Sequence, residues 1–205
     1  MKVSILAGAL LAATLPSVAM AQSITTTAPN NGSGGIFLQL TPTSSALQVN
    51  SFATYFSSAA GTPVSVEVWT RPGAYAGFTA SNAGWTLSET VIGTSAGSAT
   101  QSGNVILANP ILIPTGGPTS IYFHAITTGG GIRYTGTTAA PPQTTWINAD
   151  LTLFSDVSRT GAVAFAGTQF TPRTFSGAIN YSVVPAPGAM ALLGLGGLLA
   201  ARRRR

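Results

Sequence analysis

The chain has 205 residues, a formal charge of +5 and no cysteine, so disulfides, thiol catalysis and thiolate metal sites are excluded together. Five of its nine basic residues are Lys2, Arg202, Arg203, Arg204 and Arg205, which leaves Arg71, Arg133, Arg159 and Arg173 against Glu67, Glu89, Asp150 and Asp156. The stretch between the ends is neutral and has no lysine, too poor in cations to neutralise a phosphate backbone, which excludes nucleic acid as a partner.

Taken in chain order, Met1-Lys2 is a short positive region, Val3 to Leu15 an apolar stretch, and Pro16 breaks it before Ala19-Met20-Ala21. This is the layout of a secretory signal peptide with an A-x-A cleavage site. Residues 1–21 are therefore expected to be removed by signal peptidase between Ala21 and Gln22, and the protein to be exported. The polar, glycine-rich run "TTTAPNNGSGG" that follows predicts a flexible lead-in over 22–35.

Residues 36–183 read as β throughout. Val64, Val66 and Val68 alternate with Ser65, Glu67 and Trp69, the period of two of a half-buried strand. Comparable runs predict strands at Ile36–Leu40, Ala46–Phe56, Val64–Thr70, Trp85–Ile92, Val105–Leu107, Ile111–Ile113, Thr119–Thr127, Asp150–Phe154, Gly161–Phe165 and Thr174–Val183. Gly, Pro, Asn and Ser clusters separate them, no stretch has a helical period, and no internal repeat suggests a solenoid or propeller. So many short strands predict an all-β domain, an antiparallel, jelly-roll-like β-sandwich.

Chemistry-bearing residues are sparse in this body. The one histidine, His124 in "SIYFHAIT", has no second histidine with which to share a metal and reads as a strand residue with a satisfied hydrogen bond. A serine triad would need it together with Asp150 or Asp156, and no G-x-S-x-G elbow accompanies them. Glycoside hydrolysis needs only two carboxylates, so Glu67 with Glu89, or Asp150 with Asp156, keep a glycan hydrolase as an alternative. Four arginines against four acids predict that the acids pair with arginine or solvent instead. No carboxylate-rich loop marks a calcium site, and no metal or cofactor is expected.

Trp69, Arg71, Tyr75 and Trp85, with Phe78 between them, form a candidate ligand-binding strip on which sugar rings could stack. The competing reading places these aromatics in the core of a second sheet. A threonine-rich exported β protein also invites an ice-binding surface, but "SITTTAP" and "TTGGG" are clusters rather than a repeating ladder.

The chain ends in Val184-Pro185-Ala186-Pro187-Gly188, an apolar glycine-rich run to Ala201, and the cluster Arg202-Arg203-Arg204-Arg205. The 14 residues from Gly188 to Ala201 make roughly 21 Å of helix, short of the roughly 30 Å hydrocarbon core. Extension back to Val184 and snorkelling arginines make a marginal span feasible, with the arginines held on the cytoplasmic side. A weak span behind a Pro-Ala-Pro kink reads as a transient stop.

This tail, 184–205, resembles the PEP-CTERM sorting signal of exported bacterial proteins, with Ala186 where the signal usually has an acidic residue. The resemblance implies a transient membrane tether, an exosortase-type processing enzyme as partner, and delivery to the cell surface or extracellular matrix. Two stretches of the body, "VWTRPGAYAGFTASNAGWTL" at 68–87 and "FTPRTFSGAINYS" at 170–182, look like parts of a sandwich module of secreted and surface bacterial proteins. Together these predict an exported envelope or matrix protein without catalysis, its body structural or associated with matrix polysaccharide. The alternative is a carbohydrate-binding module or a weak glycoside hydrolase.

Overall fold

The structure, a computed structural model, describes residues 21–185 with 33, 138 and 141 left out. The signal peptide up to residue 20 and the tail from Ala186 onward, including the expected short apolar helix, lie outside the described residues. Within them the chain is all-β: there is no helix, and the 15 strands, numbered β1 to β15 in chain order, pair antiparallel.

A four-stranded sheet runs in the order β1 (Ala21–Thr25), β15 (Gly177–Val183), β4 (Leu47–Thr54) and β7 (Val105–Ile113). The eight-stranded sheet has the order β10 (Thr145–Ile147), β11 (Leu151–Phe154), β3 (Gly35–Pro42), β8 (Thr119–Ala125), β5 (Pro63–Pro72) and β6 (Thr86–Thr94). Two short strands complete it, β12 (Ser158–Arg159) on β3 and β13 (Gln169–Phe170) on β12. A small third sheet joins β14 (Thr174–Phe175), β9 (Arg133–Thr135) and β2 (Asn31–Gly32).

Alternation sets which side of each strand is buried. Val64, Val66 and Val68 of β5, Ile36, Leu38 and Leu40 of β3, and Ile121 and Phe123 of β8 point one way. They meet Leu47, Val49 and Phe52 of β4 and Ile179 and Tyr181 of β15 in one apolar cluster. Phe52 stacks on Phe123 across it, with ring centroids 4.1 Å apart. Burial of these side chains contributes about 1.5–3 kcal/mol each.

Polar clips close this core on both flanks. Glu89 of β6 accepts the backbone N–H groups of Ala108 and Asn109 in β7, each at 3.0 Å. These donors lie in an irregular stretch of β7, where the partner register jumps between Val49 and Ser51 of β4. Val105–Leu107 and Ile111–Ile113, expected as separate strands, are therefore one bulged strand, with Pro110 at a position where a donor is not needed. On the other flank Asn148 donates to the Tyr181 hydroxyl at 2.8 Å, and that hydroxyl donates to Asp150 at 3.3 Å.

Three further expectations are corrected. The lead-in is not loose: β1 pairs along β15 from Ala21↔Ser182 to Thr25↔Ala178, and Ile24 is buried. The rest is strapped down by side-chain bonds, with Thr26 Oγ1 donating to Phe175 O at 2.8 Å and the Gly136 N–H donating to Asn30 at 2.8 Å. Polarity here supplies local hydrogen bonds rather than freedom. Gly161–Phe165 is not a strand but part of a loop. Thr174–Val183 is split between β14 and β15 at Gly177, whose φ of 148° and contact with the Ala53 carbonyl leave no room for a side chain.

Candidate functional site

The outer face of the eight-stranded sheet carries the second row of every strand. From β3 comes Phe37, from β8 Tyr122 and His124, and from β5 Glu67, Trp69 and Arg71. Two loops cover the middle of this face, residues 73–85 after β5 and 160–168 after β12. As a result β8 is buried at every position, which is why "SIYFHAIT" does not alternate in polarity.

A second apolar cluster fills the space beneath the loops: Phe37, Tyr75, Trp85, Tyr122, Val157 and Phe165, with Trp69 and Phe154 packed at its margin. Phe37 and Tyr122 lie face to face with centroids 3.9 Å apart, and Phe165 caps the pair, its ring centroid 4.8 Å from that of Tyr122. Phe165 holds this position with φ of 61°, a left-handed conformation that costs a side-chain-bearing residue about 1–2 kcal/mol. Arg159, 9% exposed, joins the two loops by donating to Thr79 O at 2.5 Å and Gly167 O at 2.9 Å.

The four expected ligand-binding residues therefore divide. Tyr75 and Trp85 are buried and their polar ends are spoken for: the Tyr75 hydroxyl donates to Asp156 at 2.6 Å, and the Trp85 indole N–H to Phe78 O at 2.7 Å. Burial and the neighbouring Asp156 carboxylate raise the Tyr75 pKa far above its usual value. The aromatics thus form a core of their own beneath loops, rather than a continuous exposed strip or the filling between the two sheets. Trp69 and Arg71 remain half-buried at its edge.

Trp69 opens on a cleft of 510 Å³ lined by Glu67, Ser81, Asn82 and the segment from Val163 to Ala166. Its indole N–H donates to Glu67 Oε2 at 2.9 Å, and its ring meets Phe165 edge to face at 5.2 Å. The ring is held on two sides, so a flat ligand entering the cleft finds a fixed aromatic ring with a carboxylate, a hydroxyl and an amide around it. Phe165, Ser81 and Asn82 were missed in the sequence because nothing in a loop's composition says which face it will cover.

The acids do not converge. Glu67 serves Trp69 on the outer face, whereas Glu89 reaches across to β7 of the other sheet. Asp150 and Asp156 stand six positions apart along the β11 edge, about 20 Å in extended chain, and serve Tyr181 and Tyr75 respectively. Each acid takes neutral donors instead of the arginines its number suggested. No group of three or more acids or histidines gathers among the described residues.

His124 is fully buried, and the Tyr122 hydroxyl sits 2.7 Å from its Nδ1. Gly35 of the adjacent strand makes this burial feasible, since a Cβ there would lie 2.5 Å from Nδ1. Desolvation pushes the His124 pKa from 6.5 down to about 4, although the Ala162 carbonyl beside the ring pulls the other way.

Of the processing motifs, Ala21 and Gln22 stand in β1, and the Val184 N–H donates to Ala46 O at 2.8 Å. Ala19, Ala186, Pro187, Gly188 and the arginine cluster of Arg202, Arg203, Arg204 and Arg205 lie outside the described residues, while Pro185 is exposed just past the last strand. No helix among the described residues is long and apolar enough to cross a membrane. Comparison of the chain with protein-family models, curated proteins and solved structures finds no match.

Two outcomes follow from this geometry. Phe165→Ala removes the cap of the aromatic cluster and should lower unfolding free energy by about 3 kcal/mol; urea denaturation followed by tryptophan fluorescence reads both the loss and the hydration of Trp85. For His124 the folded pKa lies below the unfolded one, so the unfolded chain binds the extra proton between them. Stability should be full above about pH 6.5 and fall by about 3 kcal/mol as pH drops towards 4. Urea midpoints between pH 7 and 5 should show this slope in the native chain and lose it in His124→Asn.

Proposed function

We propose that the chain is an exported protein delivered to the cell envelope or extracellular matrix through its PEP-CTERM-like tail. In this reading its body is a jelly-roll-like antiparallel β-sandwich that holds matrix polysaccharide without cutting it. The sandwich reading is supported by the two main sheets, which share one core while the chain passes between them from β3 to β4, β4 to β5, β6 to β7 and β7 to β8. The sorting reading rests on the order of motifs in 184–205 and on the A-x-A site before Gln22.

The observation that carries the binding part is the cleft beside Trp69. Sugar recognition needs an immobile apolar surface for the ring face and fixed polar groups for the hydroxyls. Trp69 clamped between Glu67 and Phe165 supplies the first, and Glu67, Ser81 and Asn82 supply the second. Hydrolysis would need two carboxylates within about 5–10 Å across one cleft, and the acids are distributed to separate places. The signal peptidase and an exosortase-type enzyme are the processing partners in this reading, and the membrane a transient one.

Native protein recovered from envelope and medium fractions should begin at Gln22 and lack Arg202, Arg203, Arg204 and Arg205 by intact mass. An intact Arg205 in the membrane fraction would make the tail a permanent anchor. The protein should be retained on insoluble matrix polysaccharide without releasing reducing sugar, and Trp69→Ala should weaken retention about tenfold. Release of reducing sugar would make it a hydrolase; absence of retention would leave a purely structural body.

A further inference from the structure

The Trp69 cleft is open at its rim, where Val163 is 67% exposed, and its charge is one-sided. Among the described residues Glu67 is the one charged side chain in its lining; Trp69, Ser81, Asn82 and the rest of the wall are neutral. The Glu67 carboxylate accepts the Trp69 indole N–H through Oε2 at 2.9 Å and has no other hydrogen-bond partner among the described residues. Its Oε1 is left to whatever enters the cleft.

The fold keeps its own cations away from this carboxylate. Pairing of β5, β8, β3 and β12 sets Glu67, His124, Gly35 and Arg159 side by side, which puts the Arg159 backbone three strand spacings from that of Glu67, about 14 Å. The Arg159 guanidinium is committed to Thr79 O, Gly167 O and Gln169. Arg71, four positions along β5, is turned to Ala74 O and the Phe78 ring. His124, between Glu67 and Gly35, is fully buried and held neutral at physiological pH by desolvation. A carboxylate beside aromatic rings, with no countercharge from the protein, fits a ligand that brings a cation.

We propose that the Trp69 cleft selects an amino sugar, a hexosamine unit whose free amine is protonated, so that the polysaccharide held by the body is a cationic one. The inference rests on the polysaccharide reading and adds to it the group that is recognised. An ammonium donates charge-assisted hydrogen bonds to a carboxylate, and the Ser81 and Asn82 side chains offer further oxygens beside it. Aromatic rings such as Trp69 and Phe165 also attract a cation through their negative faces. N-acetylation removes the charge and keeps the sugar ring. A lysine side chain has the same ammonium, but no ring to set against the indole.

The test is calorimetric titration of the purified protein with a chitosan oligosaccharide, its N-acetylated form, a cello-oligosaccharide and oligolysine, slightly below neutral pH at low and high salt. The amine should bind about tenfold more tightly than either neutral sugar at low salt, with the gap narrowing at high salt. Glu67→Gln keeps a carbonyl for the Trp69 indole and removes the charge, so it should abolish the preference. Asn82→Asp adds a second carboxylate to the lining at an exposed residue and should widen it, a gain that misfolding would not produce. Equal binding of the amine and N-acetyl forms, a preference that survives Glu67→Gln, or oligolysine binding as tightly as the amino sugar overturns the assignment while the polysaccharide reading stands. Failure of all the sugars to bind overturns both.

Discussion

Phe37 and Tyr122 stack on the outer side of the eight-stranded sheet, 3.9 Å between ring centroids, and rings of that size cannot be left to water on a central strand pair. The need to cover them explains the least regular parts of the chain. Loop 73–85 brings Tyr75 and Trp85, loop 160–168 brings Phe165, and each is fixed by polar bonds that lead back to the sheet or to the other loop. Tyr75 is bonded to Asp156, beside β12, and Arg159 ties Thr79 of one loop to Gly167 of the other. The strained backbone of Phe165 is tolerated because the ring it carries closes the cluster. The Trp69 cleft is what remains at the edge of this cover, and its shape follows from where Phe165 stops.

A body with four acids and four arginines could have been held by ion pairs. It uses neutral donors and acceptors instead: phenol and indole groups and backbone N–H for the acids, and main-chain carbonyls for the four arginines. Hydrogen bonds with one charged partner contribute more than neutral ones and do not require desolvation of two ions at once. Charges so committed are structural, which is why the acids do not assemble into a catalytic pair.

The sequence was most readable where only one face of a strand is buried. Val64, Val66 and Val68 alternate cleanly because Ser65, Glu67 and Trp69 stay half-exposed, and the register of β5 follows from that pattern. It was least readable where tertiary structure covers the second face. β8 buries Tyr122 and His124 as fully as Ile121 and Phe123, and periodicity cannot announce a loop that arrives from much further along the chain. Gly161–Phe165 resembles a strand by composition, yet its apolar residues serve a single turn that places Phe165. The threonine and asparagine run after Thr25 looked unstructured because its partners, Phe175, Gly177 and Gly136, are distant in sequence. Trp69 and Arg71 could be singled out from their place on β5.

Pairing of β1 with β15 bears on the processing proposed at both ends of the chain. Ala21 stands opposite Ser182, so the two proposed processing points leave the body from one end of the same strand pair. A cut after Ala21 removes only the terminal pair of that ladder and leaves Gln22↔Tyr181 through Thr25↔Ala178 in place, with Ile24 still buried in the main core. On the other side the Val184 N–H is, among the described residues, the last group tied to the sheet, through Ala46 O, and Pro185 follows without a donor to give. The proposed N-terminal cut would thus fall one pair inside the ladder, and the C-terminal one just past the last strand. In that proposal the trimmed body would keep the remaining β1–β15 pairs and the core that holds Ile24, so processing would cost the fold only its outermost pair.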